Sequence, residues 1–177
     1  MKKIKISFFA ILVILTLLWL MADTILSQSK QFFAIRSSLL SHTGIIGIGT
    51  MSIAMILALR PVFLEPLTGG LDKTYRLHKW LGITGLVISI MHWLLVNVPK
   101  WLVGWGMLAR PVRGPRAEPA NAIFSYFQSQ RGLAESIGEW AFYAVVILIS
   151  LALIKKFPYK HFFKTHRLLP IVYLFLV

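Results

Sequence analysis

Two histidines stand 14 positions apart in one apolar stretch of the sequence, at His78 and His92. In a helix, a rotation of about 100° per residue leaves the second side chain only about 40° from the first and about 21 Å further along the axis. Both imidazoles therefore point out of one side of one helix. Imidazole is a frequent ligand of transition metals and of haem iron, so the pair is a candidate metal or haem site.

The stretch that carries both histidines is apolar enough to cross a membrane, and we expect it to end before Pro99. A histidine in hydrocarbon is costly, so it normally faces the inside of a helix bundle and has a partner or a task. Gly82 and Gly85 lie between the histidines, and their missing side chains would let a flat, bulky group lie against the helix. The alternative is that the histidines only hydrogen-bond neighbouring helices and that the glycines only serve packing.

The composition is that of an integral membrane protein. Hydrophobic residues make up 57% of the 177 positions, and the mean hydropathy is +0.73. Long apolar runs favour one helix bundle over several domains. The sequence has no cysteine, which excludes disulfides, iron–sulfur clusters and thiolate-ligated haem and leaves histidine as the metal ligand.

Five apolar segments are predicted to form helices that cross or enter the membrane, at about residues 6–26, 39–60, 78–98, 137–154 and 166–177. Residues 1–177 then form one all-α transmembrane helix bundle. We expect segment 99–136 to be a long loop that lies partly on the membrane surface because of its tryptophans. The last segment is too short to span, so we expect the chain to be a fragment, or a product cut off within its fifth helix.

The basic residues predict which ends of the spans face the cytoplasm. The formal net charge is +13, and most of the cations flank apolar spans, where they act as topology signals and contact lipid headgroups rather than nucleic acid. With the N-terminus inside, 12 cations lie on internal segments and 7 on external ones, in agreement with the positive-inside rule. We expect a multi-pass protein of the bacterial inner membrane with a cytoplasmic N-terminus, His78 near the inner face and His92 near the outer face.

Three motifs occur together: R-L-H-K-x-L-G around His78, a second histidine 14 residues later, and K-T-H-R-L-L-P around His166. Together they resemble the ferric reductase-like transmembrane domain, which NADPH oxidases and cell-surface ferric reductases share. The resemblance covers roughly residues 40 to 177. It implies a six-helix bundle that holds two b-type haems, each ligated by one histidine from the third span and one from the fifth.

The resemblance implies a haem ligand at each of the three motif histidines. His78 matches the inner ligand on the third span, His92 matches the outer ligand, and His166 matches the inner ligand on the fifth span. The fourth ligand is expected about 13 or 14 residues after His166, just beyond Val177, so we expect one haem here rather than two. Basic residues that flank the inner ligands are candidates to pair with haem propionates, or else reach the membrane interface: Arg76, Lys79 and Arg167.

The resemblance also implies an oxidoreductase that moves electrons across the membrane. Electrons would come from NAD(P)H and FAD on a cytoplasmic reductase domain or subunit outside this sequence, and would reach oxygen or a ferric chelate outside the cell. Oxidases of the family place a further histidine about one turn after the outer ligand, and Val96 stands there instead, which favours a ferric reductase or plain electron transfer over an oxidase. Arg110, Arg113 and Arg116 of the outer loop, with His42 expected at the outer start of the second span, would attract anionic chelates.

Two alternatives stay open from the sequence. One is a haem subunit that passes quinol electrons to a periplasmic oxidoreductase, and the other is a non-catalytic membrane protein whose histidines only pack. The sequence contains no phosphate loop, dinucleotide fingerprint or nucleophile triad, so we expect no catalytic side chain. Because most of the cations flank apolar spans, we also expect no nucleic-acid partner. His161, in the basic segment before His166, is expected to be a solvated loop residue rather than a ligand.

Overall fold

The structure is a computed structural model that describes residues 2–23, 32–109, 121–154, 156 and 158–177. Every regular element in this part of the chain is helical, as the all-α prediction requires. The helices are α1 (Lys2–Ala22), α2 (Phe32–Ala58), α3 (Glu65–Thr68), α4 (Leu71–Gly104), α5 (Ala122–Ser129), α6 (Arg131–Leu153), α7 (Tyr159–His166) and α8 (Leu169–Leu176), with a 3₁₀ turn at Val62–Leu64. The chain divides into two compact units, Met1–Leu108 and Ala109–Val177.

Four of the described helices are long and apolar enough to cross a membrane, namely α1, α2, α4 and α6. They match four of the expected spans, but their ends differ. Helix α2 begins at Phe32 rather than at residue 39, and α6 begins at Arg131 rather than at residue 137. Hydropathy marks only the part of a helix that lies in hydrocarbon. The helix itself can extend beyond that part at either end, so its first residue can precede the apolar segment.

The C-terminal end expected for the third span is wrong, because α4 continues through Pro99 to Gly104. Proline has no N–H, so it cannot bond to the carbonyl of Leu95, four residues earlier. Membrane helices tolerate this loss when a neighbouring helix supplies another donor. Here Arg36 of α2 supplies it, because its Nε donates to the Leu95 carbonyl at 2.7 Å and its Nη2 to the Val96 carbonyl at 3.3 Å.

In the first unit, α2 runs antiparallel to both α1 and α4, and the three helices share an apolar core. Ile4 at the start of α1 packs with Leu57 near the end of α2 and with Leu81 of α4. Ile4 and Leu81 are fully buried. The connection from α2 to α4 turns where the sequence predicted, because Gly69 and Gly70 have positive φ angles of 81° and 129°, which favour glycine.

In the second unit, α6 packs against α7 and α8. Helix α7 ends at His166, and α8 begins at Leu169. Pro170 explains this break, because it lacks the N–H that would bond to the His166 carbonyl. His166 is therefore the last residue of a short helix, and the expectation that it opens a longer fifth span is wrong.

Candidate functional site

His78 lies near the N-terminal end of α4 and is half-buried. Its Nδ1 is 2.8 Å from the carbonyl oxygen of Ala54 on α2. A carbonyl can only accept, so Nδ1 carries the proton and donates, and the lone pair of the neutral ring is on Nε2. In this tautomer a histidine can bind a metal through Nε2 while the acceptor holds its ring.

His92 makes a similar contact about four turns further along α4. Its Nδ1 is 2.9 Å from Oγ1 of Thr43, which is buried in α2. The same neighbouring helix therefore holds both candidate ligands through the same ring nitrogen.

The two glycines between these histidines have different surroundings. A Cβ on Gly85 would stand 3.0 Å from Cγ of Met51 on α2, so this glycine serves the contact between the two helices. The expectation that Gly85 makes room for a flat group is therefore wrong. Apart from the adjacent residues and the nearby backbone of α4 itself, no heavy atom within the described ranges lies within 4 Å of where a Cβ on Gly82 would stand. Gly82 is thus the position between the histidines that leaves space on the helix surface.

The donors on α4 fit haem better than a bare metal ion. Among the described residues, no three or more His, Cys, Asp or Glu side chains form a group that could hold a metal ion. Haem needs only axial ligands from the protein, because its own ring nitrogens fill the other positions on the iron. Neutral imidazoles with Nε2 as the ligating atom, beside an open stretch of helix at Gly82, meet that requirement.

His166 belongs to the second unit, whereas His78 and His92 belong to the first. The His166 ring is half-buried and stacks on Phe162, with the ring centres 5.1 Å apart and the planes 19° apart. His161 is exposed, as the sequence predicted, but it lies on the same short helix rather than in a loop. The pairing of His78 with His166 as ligands of one haem stays a prediction.

The basic residues expected to pair with propionates are exposed. Helix rotation places Arg76 about 160° and Lys79 about 100° away from His78. The guanidinium of Arg167 lies 5.2 Å from the centre of the Phe163 ring. Since long basic side chains reach several ångströms from the backbone, their role toward propionates stays a prediction.

His42 does not begin α2, because the helix starts at Phe32, so its expected position is wrong. Its ring centre lies 4.4 Å from the ring centre of Trp19, and its Nε2 lies 3.4 Å from Oγ1 of Thr16. His42 thus forms part of the contact between α1 and α2. The loop arginines of the same prediction lie outside the described residues: Arg110, Arg113 and Arg116.

Sequence reasoning missed the residues of α2 that hold α4. Arg36 is one of the seven cations counted on external segments, and sequence reasoning assigned it no other role. A proline inside a helix nevertheless indicates that some other donor must reach the carbonyl four residues earlier. No sequence signal marks the Ala54 carbonyl, because every residue has one. Thr43 could have been found only by aligning α2 with α4.

The comparison with protein families returns a match that covers the candidate site. A family model described as "Ferric reductase like transmembrane component" matches residues 43–177. No curated protein and no solved structure matches the chain significantly. The matched range begins at Thr43 and contains all three histidines that the sequence marks as ligands.

Proposed function

This chain belongs to the ferric reductase-like transmembrane family, and from that premise we propose that it carries electrons across a membrane through b-type haem. Its apolar helices make it a multi-pass membrane protein. The observation that supports the proposal best is the arrangement on α4. Two histidines about four turns apart direct Nδ1 at α2, which leaves Nε2 of each ring for an iron atom.

The residues of the first unit have defined tasks in this proposal. Haem, when bound, supplies a one-electron couple between ferric and ferrous iron. His78 and His92 would bind the iron through Nε2, while the Ala54 carbonyl and the Thr43 hydroxyl hold the two rings in position. Acceptors at Nδ1 also make the imidazoles better electron donors to a metal. Gly82 keeps the helix surface clear between the two levels.

Family resemblance supports the remaining ligand assignment. We assign His166, together with His78, as a ligand of the inner haem, and His92 as a ligand of the outer haem. The basic residues near the inner ligands would pair with propionates: Arg76, Lys79 and Arg167. The second ligand of the outer haem is not assigned to any residue of this sequence.

The direction of transfer follows from the charges of the first unit. Basic residues meet at the end that carries the start of α1 and His78, where both Lys3 and Lys73 lie beside Gly69. By the positive-inside rule this end faces the cytoplasm of a bacterial cell. Electrons from NAD(P)H, passed through FAD on a reductase domain or subunit, would enter there. They would leave at the His92 end to a ferric chelate or to oxygen.

Absorption spectroscopy of the purified protein tests this function. We expect sharp reduced bands of bis-histidine haem after dithionite, and their loss in His78→Ala and in His166→Ala. His161→Ala is the control for the second unit and His42→Ala for the first, and both should keep the bands. A folded protein without any haem bands would refute the proposal. Equal loss in His161→Ala and His166→Ala would show that the ligand from the second unit is misassigned.

A further inference from the structure

The hydroxyl of Thr43 stands between its own helix and the ring of His92. Its Oγ1 is 2.8 Å from the Leu39 carbonyl and 3.2 Å from the Leu40 carbonyl, as for many threonines in membrane helices. A hydroxyl has one proton to donate, and these carbonyls can only accept it. The lone pairs of the same oxygen are then the ones that face Nδ1 of His92, 2.9 Å away.

The position of the ring agrees with this assignment. A Cβ on Gly44 would stand 3.8 Å from Cε1 of His92, so the ring lies against α2 along the edge from Nδ1 to Cε1. Thr43 is only 5% exposed, so water does not compete strongly for the contact.

We propose that Thr43 is a positioning residue for His92: the Thr43 hydroxyl oxygen accepts a hydrogen bond from the Nδ1–H group of His92 and thereby directs the lone pair of Nε2 to a metal. Where haem is bound, this bond has a second effect. An acceptor at Nδ1 raises the electron density of the imidazole, which stabilises ferric iron and lowers the reduction potential. This second effect rests on the proposed function, whereas the proton position does not.

The hydrogen-bond acceptors of the two α4 histidines differ in whether a side-chain substitution can remove them. The acceptor of His78 is the backbone carbonyl of Ala54, which no side-chain substitution removes. The acceptor of His92 is a side chain, so Thr43→Val can remove it with little change of shape. Thr43→Ser keeps the hydroxyl and provides the rescue.

Thr50 offers a matched control on the same helix. It is fully buried, and its hydroxyl lies 2.7 Å from the Ile46 carbonyl and 3.1 Å from the Gly47 carbonyl. Within the parts of the chain that the structure describes, its hydroxyl bonds only to its own helix. Thr50→Val therefore removes a buried hydroxyl without removing an acceptor from a histidine.

NMR of the dithionite-reduced protein with isotope-labelled histidine tests the proton position, whether or not haem is bound. We expect the His92 proton on Nδ1, shifted downfield and slow to exchange with water. Thr43→Val should move this resonance upfield and speed its exchange, whereas Thr43→Ser and Thr50→Val should not. A proton on Nε2 in the unsubstituted protein would overturn the proposal. An unchanged resonance in Thr43→Val would overturn it as well, because the Thr43 hydroxyl would then not be the group that holds the ring.

Redox titration tests the effect on haem. The titration is made with excess haem, because His92 without a second ligand would hold the outer haem only weakly. The haem component that His92→Ala removes should have a higher reduction potential in Thr43→Val, and an unchanged potential in Thr50→Val. If His92→Ala removes no component, the tuning role is overturned. Equal shifts in both valine variants would overturn the tuning role, because loss of any buried hydroxyl would explain them. Absence of haem from every variant would refute the proposed function, and the NMR result alone would then decide the role of Thr43.

Discussion

The guanidinium of Arg36 lies against the backbone of Leu95, to whose carbonyl oxygen its Nε donates at 2.7 Å. In a regular helix the N–H of residue 99 would donate to that carbonyl, but Pro99 has no N–H. A side chain of α2 thus replaces a missing bond within α4. The bond joins the two helices one turn beyond His92, on the residues that follow it by three and four positions.

Arg36→Met should destabilise the protein by about 1–3 kcal/mol, because it leaves the Leu95 carbonyl without its donor. Adding Pro99→Ala gives residue 99 an N–H for that carbonyl, so the double variant should recover most of the loss. Unfolding in detergent, followed by circular dichroism, measures each free energy of unfolding. Lys100→Met at an exposed neighbouring position is the control. If the two substitutions prove simply additive, Arg36 does not replace the missing amide.

Gly82→Leu should lower the haem content several-fold, because the new side chain fills the space between the two ligand levels. The matched control is Gly104→Leu, since a Cβ on Gly104 also meets no described heavy atom within 4 Å and lies at the far end of α4. Pyridine haemochrome assay per mole of protein measures the content, and circular dichroism checks that both variants are folded. Full haem content in Gly82→Leu would place the haem against another surface.

Pro170→Ala should join α7 and α8 into one helix, because alanine supplies the N–H that bonds to the His166 carbonyl. Hydrogen–deuterium exchange of the peptide that contains residues 165–172 should then be slower. If the break sets the ring position of His166, the haem bands should weaken in the same variant. Unchanged exchange would mean that packing against α6, rather than the proline, separates the two short helices.

The identity of the electron acceptor can be tested by substituting the arginines of the expected outer loop. This prediction rests on the sequence alone. With a reductase present, we expect the protein to reduce ferric citrate faster than it forms superoxide. Replacing Arg110, Arg113 and Arg116 by Gln should raise KM for this anionic chelate, with kcat little changed. Arg131→Gln is the control, because Arg131 already pairs with Glu135 at 3.1 Å. If nearly all electrons form superoxide at every concentration of ferric citrate, the prediction that a ferric chelate is the electron acceptor is refuted.

The sequence predicts α4 and its histidine pair well because apolar length and helical periodicity are local properties. It fails at Pro99, since the helix continues there only with a donor from Arg36, more than 60 positions earlier in the chain. It also fails at Gly85, where the reason for a glycine is Met51 on another helix. Contacts between helices far apart in sequence leave no periodic pattern, so the acceptors of the ring protons could not be predicted.

The two bonds from α4 histidines to α2 also bear on electron tunnelling, whose rate falls exponentially with distance. One continuous helix carries both rings, and one neighbour holds both, so the separation of the two sites is set by the rise of α4, about 21 Å between Cα atoms. Helices tilt when a bilayer becomes thinner or thicker. Such tilting would move both rings together as a rigid body, so transfer between the two levels would be insensitive to membrane thickness and lipid composition.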